Sequence, residues 1–194
     1  MKNWVLGIAA LYLLLPAPIG VLPMDNGMAE AKKRCVVVET GNGIFGTGVI
    51  LETNLVLTNY HVIEDNSGVK VNGKCGVVTR RSAEKDLALI MTDTPHHPRI
   101  EFCNAEQAED VYYVGNPNGH RGFIVPGSVL GIEGGIIYTN AVGMPGFSGS
   151  GVWCRKHDKL VSISFASTCA VPHGCPFSLS TPSKTIKEFL GWDK

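Results

Sequence analysis

The chain has 194 residues, with 17 basic and 17 acidic side chains and a formal net charge of zero. That balance gives no sign of the basic patch or stripe that a nucleic-acid partner would select, and neither an acidic tail nor a basic arm is present. Charged residues are 18% of the chain and 23 glycines punctuate short apolar runs, a composition that suits a β-rich protein with many turns.

Met1-Lys2-Asn3-Trp4 is a short positive start, and Val5 to Leu15 is an unbroken apolar run followed by Pro16, Pro18, Gly20 and Pro23. This is the layout of an export leader. Ala29-Glu30-Ala31 offers a small-x-small cut, so residues 1–31 read as a signal peptide and 32–194 as the working domain. The rival reading is an uncleaved anchor over Trp4 to Leu22, and only then would the protein meet a membrane. Both readings place the domain outside the cytoplasm, periplasmic or secreted.

Six cysteines follow the leader: Cys35, Cys75, Cys103, Cys154, Cys169 and Cys175. An even number behind an export leader reads as disulfides. Spacing does not decide the pairing, and Cys169 with Cys175 is the simplest pair. A zinc site would use Cys169, His173 and Cys175, or Cys154 and His157. No CxxC pair is present, so no metal is expected.

Cys35 to Thr40 is a short β-branched strand. Gly41-Asn42-Gly43-Ile44-Phe45-Gly46 matches the GxGxxG spacing of dinucleotide sites, but that motif needs a helix directly after it. Thr47 to Leu51 reads as another strand, so the glycines form a hairpin turn and no cofactor is expected. Strands are expected at 55–58, 69–71, 76–79 and 87–91, with no clean helical period before Asn104. Asn104 to Asp110 is a polar link between two halves. A second β series then runs through 111–115, 123–125, 127–132, 135–140, 151–154, 160–165 and 177–179, with a turn at Asn116-Pro117-Asn118-Gly119. A helix over about 182–190, with Ile186, Phe189 and Leu190 on one face, closes the chain.

Three short blocks could carry chemistry. His61 sits in Thr58-Asn59-Tyr60-His61, Asp86 in Lys85-Asp86-Leu87-Ala88-Leu89, and Ser148 in Gly146-Phe147-Ser148-Gly149-Ser150. A serine hydroxyl needs a neighbouring base to become a nucleophile. Histidine suits that task because it titrates near neutrality, and a carboxylate fixes the imidazole tautomer. Glycines around the serine let the amides of Gly146 and Ser148 converge as an oxyanion hole. Taken singly, each block has a plainer reading: a turn, a hydrogen-bonded histidine, a strand-start charge. Their order and their strand contexts favour the joint reading. An α/β-hydrolase is excluded, because its triad runs Ser, Asp, His and its strands alternate with helices.

With Val62-Ile63 and Gly151 added, these blocks resemble the catalytic blocks of trypsin-like serine proteases, and the HtrA-like branch in particular. Val114-Gly115-Asn116-Pro117 and Thr181-Pro182-Ser183-Lys184-Thr185-Ile186-Lys187 resemble that branch too. The resemblance covers about residues 35–190, and no PDZ-like segment is read after it. It implies an all-β fold of two packed six-stranded antiparallel barrels, about 35–103 and 111–180, with a short C-terminal helix. It further implies a serine endopeptidase acting on protein or peptide substrates: His61 is the base, Asp86 its orienting carboxylate, Ser148 the nucleophile. Val142, Ser162, Ile163 and Ser164 are implied to line the substrate pocket. Ala141 and Val142 offer no carboxylate, so a modest apolar side chain is expected at the cleaved residue rather than Lys or Arg. Phe147 stands where that branch carries Asn, and is expected to contribute only backbone to the turn. The competing class is a silent binding module that keeps the fold without turnover.

Overall fold

The computed structural model describes residues 24–65, 68–167 and 177–193. The part of the expected leader before residue 24, and Cys169, His173 and Cys175, therefore lie outside the described residues. Among those described, no helix is long and apolar enough to cross a membrane.

The expected end of the leader is a helix instead. In α1 (Asn26–Arg34), the Asp25 carboxylate accepts from the Met28 amide at 2.8 Å, and Lys32, Lys33 and Arg34 occupy the last turn. Both ends thus suit the helix dipole and its unpaired amides. Met28 and Ala31 are buried between the two halves of the molecule. Arg34 is buried as well, and its guanidinium donates to the carbonyls of Ile50 and Pro98. The absence of any helix before Asn104, expected from periodicity, is thereby corrected. The boundary drawn after Ala31 falls inside α1.

The first half is a curled seven-stranded sheet rather than a closed six-stranded barrel. Its strands are β1 (Cys35–Glu39), β2 (Phe45–Glu52), β3 (Leu55–Thr58), β4 (Lys70–Val71), β5 (Lys74–Cys75), β6 (Val77–Ser82) and β7 (Leu87–Met91). They lie in the order β5-β4-β1-β2-β3-β7-β6. The extra strand comes from a small hairpin, β4–β5, that turns at Asn72 and Gly73, both with positive φ, as a tight two-residue hairpin requires. The two edge strands, β5 and β6, are joined by Gly76 alone, so the sheet curls back towards itself. The Gly41–Gly43 segment is the β1–β2 hairpin, with Thr40 N donating to Ile44 O at 3.0 Å and Gly43 at φ 76°.

The second half is the expected closed barrel, in the order β10-β13-β12-β11-β8-β9. It comprises β8 (Asp110–Gly115), β9 (Phe123–Glu133), β10 (Ile136–Thr139), β11 (Gly151–Cys154), β12 (Leu160–Ser167) and β13 (Ser178–Pro182). Helix α2 (Ser183–Leu190) follows directly and ends at Gly191 in the left-handed region, φ 73°, where glycine carries no steric penalty.

Strand alternation divides the core. On β2, Val49 and Leu51 face the second barrel, whereas Ile50 faces the interior of the first sheet. On β8, Tyr112 and Val114 face the first sheet, whereas Val111 and Tyr113 fill the barrel. The shared layer is closed by Met28 and Ala31 of α1 and by Ile186, Phe189 and Leu190 of α2. The two halves are thus locked face to face, and the loops at their seam are held in fixed register.

Candidate active site

His61 lies in a turn at the end of β3, closed by Ile63 N donating to Tyr60 O at 2.9 Å. Val62 and Ile63 plunge into the first sheet's core, which leaves the His61 ring at the surface, 42% exposed. Asp86 ends the turn before β7 with φ 49°, a conformation that Asp tolerates better than most residues. Its main-chain carbonyl accepts from Asn59 Nδ2 at 2.9 Å. Its carboxylate meets His61 twice: Oδ2 is 2.7 Å from Nδ1, and Oδ1 accepts from the His61 amide at 2.9 Å. A carboxylate on Nδ1 fixes that nitrogen as the proton carrier and leaves Nε2 as the free acceptor.

Ser148 comes from the other half. Its turn is tied by Phe147 N to Met144 O, Ser150 N to Phe147 O and Gly149 N to Ser164 O, at 2.8–2.9 Å. Gly146 and Gly149 both have φ near +90°, a backbone that only glycine adopts without strain. A side chain at Gly149 is also sterically impossible, since a Cβ would sit 1.9 Å from Thr47 O. The turn reaches across the seam to β2, where Thr47 N donates to Ser148 O at 2.7 Å. A Cβ on neighbouring Gly46 would lie 2.6 Å from Val62 and 3.2 Å from Ser148 O. The loop carrying His61 and the turn carrying Ser148 therefore press on the same glycine. The Ser148 hydroxyl makes no hydrogen bond among the described residues; such contacts commonly tighten only on substrate binding.

A family model described as a trypsin-like peptidase domain matches residues 46–163, more than half of the chain. The chain belongs to the trypsin-like peptidase family. Solved structures agree in fold. An inactive form of Rv3671c from Mycobacterium tuberculosis H37Rv is 17% identical, with 91% of this chain and 94% of that one covered and a TM-score of 0.76. A serine endoprotease from Yersinia pestis is 20% identical, with coverage of 91% and 66% and a TM-score of 0.77. The HtrA-type protease AlgW, with a tripeptide, is 19% identical, with coverage of 86% and 62% and a TM-score of 0.75. The protein is thus a trypsin-like peptidase, a class that acts on proteins or peptides.

Beside Ser148 the peptidase has a cavity of 280 Å³, lined by Gly143, Met144, Pro145, Phe147, Ser148, Ser164, Ala166 and Ser167. No carboxylate is among these groups. Of the residues expected to line it, Ser164 does so. Ser162 instead turns into the barrel, where its hydroxyl donates to Ser180 Oγ at 2.8 Å, and Ile163 packs in the core between the halves. Val142 is 51% exposed and outside the lining. Strand alternation accounts for Ile163, which shares the face of Phe165, the latter lining a separate groove with Lys85, Asp86 and Ile136; Ser162 lies on the face of Ser164 and Ala166 but further along β12, inside the barrel.

Phe147 does more than supply backbone. Its side chain is 2% exposed and packs in the barrel core, against a Gly115 that has no space for a Cβ. The nucleophile turn is thus pinned from below by an aromatic ring. The amides of Gly146 and Ser148 donate to no partner among the described residues, whereas those of Phe147, Gly149 and Ser150 are all engaged.

Among the described residues no group of three His, Cys, Asp or Glu side chains is placed to hold a metal. The described cysteines are all free thiols. Burial pushes Cys35 and Cys103 up to about 12, with Cys154 and Glu109 adding to the shift at Cys103. Neither is a nucleophile at neutral pH, since the thiolate is the reactive form.

Proposed function

We propose that Ser148 is the nucleophile of this endopeptidase, His61 its general base and acid, and Asp86 the carboxylate that orients His61. The amides of Gly146 and Ser148 form the oxyanion hole. The observation that carries this reading is the double contact of Asp86 with His61 across a seam from a serine turn whose two candidate amides are unengaged.

The chemistry follows from those positions. Ser148 Oγ attacks the scissile carbonyl carbon while His61 Nε2 takes its proton. The carbonyl oxygen becomes an oxyanion and receives hydrogen bonds from the Gly146 and Ser148 amides. Collapse breaks the C–N bond, and the leaving amine takes the proton from the imidazolium. Water then attacks the acyl ester with its proton passing to His61, which releases the acid and restores the Ser148 hydroxyl.

The lining of the cavity beside Ser148 supports a modest apolar side chain at the cleaved residue. Met144, Pro145 and Ala166 give apolar surface, and among the described residues no acid lines the cavity to pair with Lys or Arg. The apolar leader at residues 5–15 supports export of the enzyme. Because α1 is capped at Asp25 and buries Met28 and Ala31, leader removal before residue 25 keeps that cap and that burial.

The test is cleavage of a peptide library by the purified protein, read by mass spectrometry beside Ser148→Ala. Cuts after Ala, Val, Leu or Met, all lost in the variant, are expected. Cuts led by Lys, Arg or Glu would overturn the pocket assignment, and undiminished cutting by the variant would overturn the nucleophile.

A further inference from the structure

We infer that Thr47 of β2 is a positioning residue for the nucleophile turn, holding from across the seam the peptide that follows Gly146 and so the backbone from which the Gly146 and Ser148 amides project. The inference rests on the reading of Ser148 and Gly146 given above.

Thr47 is fully buried, and each of its polar groups is engaged, the amide and the hydroxyl across the seam. Its amide donates to Ser148 O at 2.7 Å. Its hydroxyl donates to Gly146 O at 2.8 Å and accepts from the Asn116 amide at 2.9 Å. Its carbonyl accepts from the Thr58 hydroxyl at 2.7 Å. The strand pairing allows this. Thr47 stands opposite Val37, whose own N–H and C=O are taken by Asn72. The Thr47 main chain is therefore free to face away from β1, towards the turn.

The hydroxyl matters because of what it holds. Gly146, at φ 90°, has no side chain to anchor it, and glycine has the least intrinsic preference of any residue. Thr47 Oγ1 is the partner of its carbonyl. The Gly146 and Ser148 carbonyls belong to the peptides that follow those residues, so one β2 residue fixes the chain on the far side of Gly146 and of Ser148, while Asn118 N holds the Pro145 carbonyl before Gly146 at 3.0 Å. Asn116 backs Thr47: its Nδ2 donates to Val36 O at 2.7 Å and its Oδ1 accepts from Gly122 N at 2.9 Å. Valine at position 47 keeps the shape and both main-chain bonds but leaves Gly146 O without its partner.

The test compares wild type with Thr47→Val, Thr47→Ala and Thr47→Ser on a peptide substrate and on two inhibitors: a peptide aldehyde, which forms the tetrahedral adduct, and the product acid. Thr92→Val is the stability control, since it removes a buried hydroxyl bond to Cys75 O away from the site. The expected result is a kcat loss of about 10²-fold for valine and alanine, the scale of one lost oxyanion donor, with KM unchanged. Aldehyde affinity falls in parallel, product affinity is kept, and serine restores activity to within a few-fold. The alanine variant keeps the comparison intact if valine does not fold. Wild-type kcat in either folded variant, or a loss that serine does not restore, overturns the role of the hydroxyl. Activity surviving in Ser148→Ala would instead overturn the underlying nucleophile assignment, so the two failures are separable.

Discussion

Asp86 grips His61 at two points, with Oδ2 2.7 Å from the ring Nδ1 and Oδ1 accepting from the main-chain amide at 2.9 Å. One carboxylate thus fixes both the rotation of the ring and the position of the loop that carries it. Replacing it with asparagine leaves a group of the same shape but presents either an amide N–H₂ or a neutral oxygen to Nδ1.

Asp86→Asn is therefore expected to keep the fold and lose about 10⁴-fold in kcat at neutral pH, the scale seen when the imidazole is held in the wrong tautomer. Steady-state kinetics alongside a thermal melt checks this. A loss of less than tenfold with an unchanged melt would mean that Asp86 does not orient the base.

The end of α1 gives a prediction about length. A chain starting at Asp25 retains the cap and the buried Met28 and Ala31, while one starting at Lys32 loses all three. Burial of one Met side chain contributes about 1.5–3 kcal/mol, and loss of the cap costs about 1 kcal/mol more. The shorter chain should melt several degrees lower, at about 2–4 °C per kcal/mol for a domain of this size. Equal melting temperatures for the two chains would show that α1 contributes nothing to the core.

These residues mark where the sequence was legible and where it was not. His61, Asp86 and Ser148 could be singled out as candidates because each sits in a short block whose neighbours have a local reason to be there: Asn59 and the buried Val62-Ile63, the strand after Asp86, and the glycines flanking Ser148. The β-rich second half was likewise legible from its turn spacing, and its closed barrel from the family resemblance. Helix α1 was not, because its buried stripe is Met28, Ala31 and Arg34. An arginine at a core position breaks the apolar period, and its burial depends on carbonyls at Ile50 and Pro98 far along the chain. Phe147 looked like a turn residue because nothing local reveals the Gly115 hollow that receives it. Thr47 was hidden for the same reason, its partners lying about one hundred positions away in Gly146 and Ser148.

His97 should make stability depend on pH. Its ring is buried, and burial together with the Arg34 guanidinium lowers its pKa from the usual 6.5, despite Glu30 at 3.6 Å and with His96 adding slightly. The folded state thus binds a proton less readily than the unfolded chain. Stability rises with pH through the window between the lowered value and about 6.5, and is lost as pH falls through it. The melting temperature should drop between about pH 7 and pH 5, before most carboxylates titrate. His97→Asn should flatten that drop, and an unchanged slope in this variant would contradict the assignment.

The central claim is that Ser148 is an activated nucleophile. Treating the full chain with a fluorophosphonate, and reading intact mass and a peptide map beside Ser148→Ala, tests it most directly. The account predicts one added group per folded molecule, located on Ser148 and absent from the variant. A folded wild-type protein that takes up no group, or takes it up at another residue, would contradict it and favour a binding module that keeps the fold without the chemistry.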